Sequence, residues 1–303
     1  MNKLTLTIGI PAFNEEANIK GLILSIFEQE ASTYSLEKLI VVVDACTDNT
    51  IDEILKIKNS KIKLFINKQR KGKAYGLNVI ARETSTDILV HLDADILLKN
   101  KKTIENIIEP IVARGADLTS ARVKEYWATS KFEEVLKISM VLKKEIFEHY
   151  NHGNNIYTCH GRARGLSKRL YRNMIFSPEI IAEDAFSYLY AVANGYKYLF
   201  AKKANVHYRL PRTLVDHKKQ SVRFFNSYKQ LKNIFGSKLM KSEGRIPKKI
   251  ILKYTVKYVL RYPVTIFLYA CILVKMKFSA KIERMSTSTW SISKSSKSFR
   301  TIL

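Results

Sequence analysis

Leu92-Asp93-Ala94-Asp95 carries two carboxylates separated by one small residue. Such a pair can reach a single divalent cation. Hard Mg²⁺ or Mn²⁺, bound through oxygen, typically bridges protein carboxylates to a diphosphate. An Asp-X-Asp is common in loops, so its weight comes from its place after an apolar run. Lys71-Gly72-Lys73 opens a helical pattern, and helix N-termini and lysines suit phosphate; alone it reads as a solvated basic helix start. Pro11–Glu16 reads first as a helix start, with Asn14 as cap and Glu15 and Glu16 at the positive end of the dipole. Asp44–Thr50 reads as an Asp-capped start, or as a carboxylate free for a base or ribose. Glu183-Asp184 also opens a helix. Arg162 and Arg164 lie in a glycine-interrupted segment, Cys159–Gly165, and can pair with phosphate or acidic groups of an acceptor.

These groups need a scaffold that gathers them. Thr5–Ile10, Leu39–Val43, Ile62–Ile66, Ile88–Leu92 and Leu118–Val123 read as strands. Leu39–Val43 is apolar throughout, the mark of a strand buried on both faces. Helical spacing fills Glu16–Glu28, Thr50–Ile57, Gly76–Arg82 and Thr103–Ala113 between them. Repeated βα units imply a mostly parallel, Rossmann-like α/β sheet flanked by helices, with ligands at the carboxyl ends of the strands. Pro11–Glu16, Asp44–Thr50 and Asp93–Asp95 all fall at such ends. Further on, Lys131–His149 and Glu183 to about Asn194 read as helices. Lys197–Ala201 and Asn205–Tyr208 read as strands, and about Thr213 to Phe235 as a basic helix.

The ordered set is more specific than its parts. PAFNEE, VVVDACTDNT, KGKAYGLN, LDAD, Ala182-Glu183-Asp184 and Gln220-Ser221-Val222-Arg223-Phe224 together resemble the family 2 glycosyltransferases over about residues 5–225. The last segment is similar to the family's QxxRW box, with Phe224 for Trp. The resemblance implies a GT-A fold and inverting transfer from a nucleotide-diphosphate sugar. It implies donor binding by Pro11, Phe13, Glu15, Asp44, Lys73, Asp93 and Arg223. It further implies Mg²⁺ or Mn²⁺ on Asp95 and Asp184 as general base. Glu183 and Gln220 then face the acceptor, together with Arg162 and Arg164. In some GT-A enzymes a histidine at the position of His207 completes the metal sphere; His160 is a weaker candidate.

Composition adds an address. The chain has 303 residues, with 52 Lys plus Arg against 27 Asp plus Glu, a net charge of +25. Residues 1–120 are neutral, residues 121–200 carry +4, and residues 201–303 carry +21. That distribution excludes a uniformly basic, histone-like protein and directs attention to an anionic partner of the last third. Lys249, Lys253, Lys257 and Arg261 recur on one helical face, and Pro263 then precedes the apolar run Val264–Val274. That run covers roughly 17 Å, too short for a hydrocarbon core of about 30 Å. An in-plane attachment to an anionic membrane surface is expected, or else a buried hairpin. Nucleic acid is the alternative partner of so basic a segment, but no nucleic-acid-binding motif supports it and none is expected to bind. A donor-binding domain without catalysis is a further alternative.

The expected organisation is a catalytic domain over 1–235, divided into a donor half (1–120) and an acceptor half (121–235). A membrane-associating segment (236–284) and a Ser/Thr/Lys-rich tail (285–303) follow. Three scattered cysteines without metal or disulfide spacing suit a reducing compartment. The N-terminus reads as a first strand and not as a signal peptide. Together these place the enzyme in the cytoplasm, peripheral on the inner face of the cytoplasmic membrane. The expected acceptor is a lipid-linked or cell-envelope glycan.

Overall fold

The computed structural model describes residues 3–280. The tail expected over 285–303 lies outside the described residues, as does the end of the basic segment. The elements run β1 (Leu4–Ala12), α1 (Ile19–Phe27), β2 (Tyr34–Asp44), α2 (Thr50–Leu55), β3 (Ile62–Asn67), α3 (Lys73–Glu83), β4 (Ile88–Leu92), β5 (Ile96–Leu97) and α4 (Thr103–Arg114). There follow β6 (Leu118–Glu125), α5 (Lys131–His149), β7 (Ala163–Ser167), α6 (Lys168–Asn173), α7 (Glu183–Ala193), β8 (Tyr198–Tyr208), α8 (Leu214–Gly244), α9 (Lys248–Arg261) and α10 (Pro263–Ala280).

One sheet holds all the strands, in the order β3-β2-β1-β4-β7-β6-β8-β5. The β3-β2-β1-β4 half is parallel throughout. Beyond it the sheet is mixed. β7 runs antiparallel between β4 and β6, β6 and β8 are parallel, and β5 closes the edge antiparallel to β8. β7 corrects the reading of Cys159–Gly165 as a glycine loop, since its last residues form a central strand. The two strands expected after Lys197 are one, β8, whose pairing with β6 shifts register between Ala121 and Arg122.

Side-chain alternation builds two cores. Leu39, Val41 and Val43 of β2 join a cluster under α1 and α4, while Ile40 and Val42 join another under α3 and α7. A strand apolar at every position is the only kind that can serve both faces. Caps then set where helices begin. The Ser130 hydroxyl accepts from the Glu133 N–H to start α5, and the Thr213 hydroxyl accepts from the Asp216 N–H to start α8. Asn14 is not a cap. It sits at φ 52°, and its side chain exchanges hydrogen bonds with Thr47, tying the turn after β1 to the turn after β2. Glu16 strengthens that tie by accepting from the backbone and side chain of Asn49.

Candidate active site

The carboxyl ends of β1, β2 and β4 and the start of β7 open on a cleft of about 300 Å³. Its lining includes Pro11, Phe13 and Glu15 after β1, Asp44 at the end of β2, and Asp93 and Asp95 after β4. Arg162 stands before β7, Asp184 on α7, and Gln220 and Arg223 on α8. Segments far apart in the chain are thus brought together by strand order alone, at the edge where open α/β sheets bind ligands.

Asp44 is buried, and its carboxylate accepts the N–H groups of Lys71 and Gly72, each at 2.8 Å. It therefore holds the turn that feeds α3. Gly72, at φ 87°, adopts a backbone conformation that side-chain-bearing residues avoid. Glu15 is also buried and accepts from the Asn18 side chain at 3.0 Å. Phe13 carries the Arg70 guanidinium stacked 3.4 Å above its ring.

At the base of the cleft the Lys73 ammonium is buried between two carboxylates. It lies 2.6 Å from Asp93 and in direct contact with Glu183. Glu183 is 2 % exposed, and its second oxygen faces the Arg223 guanidinium at 3.5 Å. Burial alone would raise the Glu183 pKa, but Lys73, Arg223 and Arg164 outweigh it and bring the value down to about 2. Burial would likewise discharge Lys73, yet Asp93 and Glu183 hold it above its ordinary value. Asp93 moves the other way: burial, with Asp95 and Glu183 nearby, raises it despite Lys73. Lys73 and Arg223 thus balance Asp93 and Glu183 at the base of the cleft, and Asp93 stands beside Asp95.

Three expectations change here. Lys73 is engaged inside the protein and is not a free phosphate ligand. Glu183, expected at the acceptor, has both oxygens facing cations at the base of the cleft. Arg164 is fully buried; its guanidinium donates to the Glu183 carbonyl and the Ser187 hydroxyl, so it braces α7 from below. The antiparallel pairing of β7 sets Arg164 opposite His91, inside the core, where a loop would have left it outside.

Asp184 follows Glu183 but faces the cleft. It accepts from the Ala185 N–H at 2.8 Å and the Gly161 N–H at 3.3 Å. Gly161 packs closely here: a Cβ would lie 3.1 Å from the Glu183 carboxylate, which would have to shift by a few tenths of an ångström, and 3.5 Å from Asp184. Arg162 stacks its guanidinium 3.7 Å over the Tyr208 ring at the cleft wall. Gln220 and Arg223 come from successive turns of α8, with Phe224 exposed beside them. Arg223 also donates to the Ile181 carbonyl at 3.2 Å, fastening α8 to the segment before α7.

His207 does not join this set. It lies on β8 opposite Leu97, and the charged groups around it are Lys99, Lys124, Glu125 and Lys144. Burial first, then those lysines, lowers its pKa, and the fold does not bring it among the residues that line the cleft with Asp93 and Asp95. His160 is pushed down to about 3 by burial and by Arg162 and Lys144, while its backbone N–H donates to Ser120. Among the described residues no three His, Cys, Asp or Glu side chains converge as a metal cage. Asp93 and Asp95 line the cleft together, and carboxylate oxygens of this kind could hold a hard cation.

Arg70 and Lys219 were not singled out from the sequence, and both line the cleft. Arg70 stands in the basic run before α3, and that run was the available signal.

A family model described as Glycosyl transferase family 2 matches residues 7–175. The Escherichia coli UDP-Glc:alpha-D-GlcNAc-diphosphoundecaprenol beta-1,3-glucosyltransferase WfgD is 33 % identical over 102 residues, 33 % of this chain and 39 % of that protein. The Staphylococcus aureus poly-beta-1,6-N-acetyl-D-glucosamine synthase is 30 % identical over 94 residues, 31 % of this chain and 22 % of that one. The matched stretch thus spans well under half the length of these curated relatives. A Pyrobaculum calidifontis mannosyltransferase solved with GDP-Man and Mn²⁺ superposes with a TM-score of 0.61 at 16 % identity, covering 94 % of this chain and 77 % of that one. S. aureus TarS residues 1–349 with UDP gives 0.57 at 16 % identity, covering 84 % and 72 %. The fold is that of these GT-A enzymes.

Proposed function

This chain belongs to glycosyl transferase family 2, and on that premise we propose that it moves a sugar from a nucleotide-diphosphate donor to an acceptor hydroxyl by single displacement with inversion. The observation that carries this reading is the division of labour between adjacent residues. Glu183 is locked against Lys73 and Arg223, which leaves Asp184, of these two adjacent carboxylates, to serve the acceptor. In the reading, the acceptor oxygen attacks the anomeric carbon and forms the new C–O bond. The bond to the diphosphate oxygen breaks, the nucleoside diphosphate departs with the electron pair, and Asp184 takes the acceptor proton.

The donor nucleoside lies along Pro11, Phe13, Glu15 and Asp44, and Arg223 and Lys219 supply positive charge toward the diphosphate. Asp93 and Asp95 would hold Mg²⁺ or Mn²⁺. When bound, such an ion acts as a Lewis acid that offsets charge on the leaving diphosphate. Lys73 keeps Asp93 fixed and Glu183 keeps the first turn of α7 fixed, so both carboxylates are oriented before substrate arrives. Arg162 and Gln220 border the acceptor side. A relative acting on a diphosphoundecaprenol-linked sugar and another named for polysaccharide synthesis favour a lipid-linked or envelope glycan as acceptor. That acceptor would place the enzyme at the cytoplasmic face of the membrane.

The test is a panel of nucleotide sugars with Mn²⁺, scored by thermal shift. It is followed by incubation with lipid-linked acceptors and assignment of the product anomer by NMR. An inverted anomeric configuration is expected. A retained configuration, or donor binding without transfer or hydrolysis, overturns the reading.

A further inference from the structure

Half of the exposed large apolar side chains among the described residues lie between Ile251 and Val274. They are organised. On α9, Leu252, Val256 and Val259 follow helical spacing and form an outward stripe. The opposite side buries Tyr254 and Tyr258 against α5, where the Tyr254 ring meets His149 at 4.6 Å and the Tyr258 hydroxyl donates to Glu145. On α10, Phe267 and Val274 face outward, while Tyr269 is buried and its hydroxyl accepts from Lys143 of α5 at 2.6 Å. Both helices are therefore anchored on α5 by polar bonds, and their apolar stripes look away from it.

The two helices bend by 119° at Pro263, and among the described residues no single helix is long and apolar enough to cross a membrane. A bent pair pinned along α5 makes a V across the surface of the protein. Lys248, Lys249, Lys253, Arg261 and Lys275 border it, and residues 245–276 contain no Asp or Glu. Exposed apolar surface of this extent on a soluble protein marks a contact face. A second copy of the chain is a poor occupant, because a two-fold contact would set these cations against their own copies. Anionic headgroups above acyl chains match both the charge and the apolar stripe.

We infer that the outward face of α9 and α10 docks in the interfacial layer of an anionic lipid bilayer, with both helices lying in the membrane plane. This does not rest on the glycosyl-transfer reading. α10 also packs against α8, the helix that carries Gln220 and Arg223.

The experiment is flotation of the full chain with vesicles of phosphatidylcholine alone or with 30 % phosphatidylglycerol, at low and high salt, without any nucleotide sugar. Binding to the anionic vesicles only, weakened by salt, is expected. Leu252→Asp with Phe267→Asp should lower the bound fraction at least about 10-fold while leaving the melting temperature and the light-scattering mass unchanged. Equal flotation of that variant overturns the inference. So does a wild-type dimer that the variant dissociates, with no vesicle binding. Should the double variant fail to fold, an environment-sensitive fluorophore on exposed Cys271, in a Cys46→Ser background, gives an independent answer. A blue shift on adding anionic vesicles supports docking, and unchanged emission overturns it.

Discussion

Lys73, in the first turn of α3, is ion-paired in the protein interior with Glu183, the first residue of α7. The pair fastens the helix behind the donor pocket to the helix that presents Asp184. Removing one partner leaves the other buried and uncompensated, which typically costs about 3–5 kcal/mol. Lys73→Met and Glu183→Gln should each lower stability by about that much in urea unfolding. The double variant should lose clearly less than the sum. Additive losses would show that the two side chains do not depend on each other.

Asp184→Asn keeps the shape of the side chain and one of its two hydrogen bonds, since its single oxygen can accept from Ala185 or Gly161 but not from both, and it removes the basicity. Its kcat should fall by about 10²–10⁴-fold, with nucleotide-sugar affinity by calorimetry unchanged. Turnover near that of the native protein would remove Asp184 from the base role.

Asp95→Ala takes one of two oxygen donors from the expected cation site. In the native protein, donor at about 100 times its Kd should stabilise the fold by about 2.7 kcal/mol when Mn²⁺ is present. In the variant, donor-induced stabilisation should no longer respond to Mn²⁺. An intact Mn²⁺ response would show that the ion is held elsewhere.

Acid should weaken the fold early. His160 is pushed down to about 3 and His217 to about 4, each chiefly by burial. The unfolded chain therefore takes up protons near pH 6.5 that the folded chain refuses until much lower pH. Stability should be full above pH 6.5 and fall steadily as pH drops toward 4. Glu183 adds a later loss: its contribution is present above the ordinary glutamate range and disappears as pH falls through about 2. Urea midpoints between pH 4 and 7.5 check the first effect. His160→Gln should flatten the slope, and an unchanged slope would assign it to other groups.

The half of the site on β1, β2 and β4 was legible in the sequence because each strand is a β-rich run followed within a few residues by a carboxylate. The chemistry and the structural punctuation coincide there. The other half was not. Ala163–Ser167 contains arginine and glycine and lacks β-branched residues, so local propensity hides a strand that only its neighbours β4 and β6 make favourable. The same ambiguity left Arg164 on the wrong side of the surface. His207 had suitable spacing, but the direction of its ring depends on the β5–β8 pairing, which no nearby residue announces. Lys73 was recognisable as a cation, but its two carboxylate partners come from β4 and α7 and meet only in the folded chain.

In the folded protein the turn between β3 and α3 already has its backbone claimed by Asp44 through the N–H groups of Lys71 and Gly72. Fixing a residue's backbone costs about 1–2 kcal/mol in entropy, and here the cost is met before any nucleotide arrives. Capture of the donor should then resemble entry into a rigid receptor. It should show a small heat-capacity change and no added hydrogen-exchange protection in that turn, in contrast to a loop that folds around its ligand.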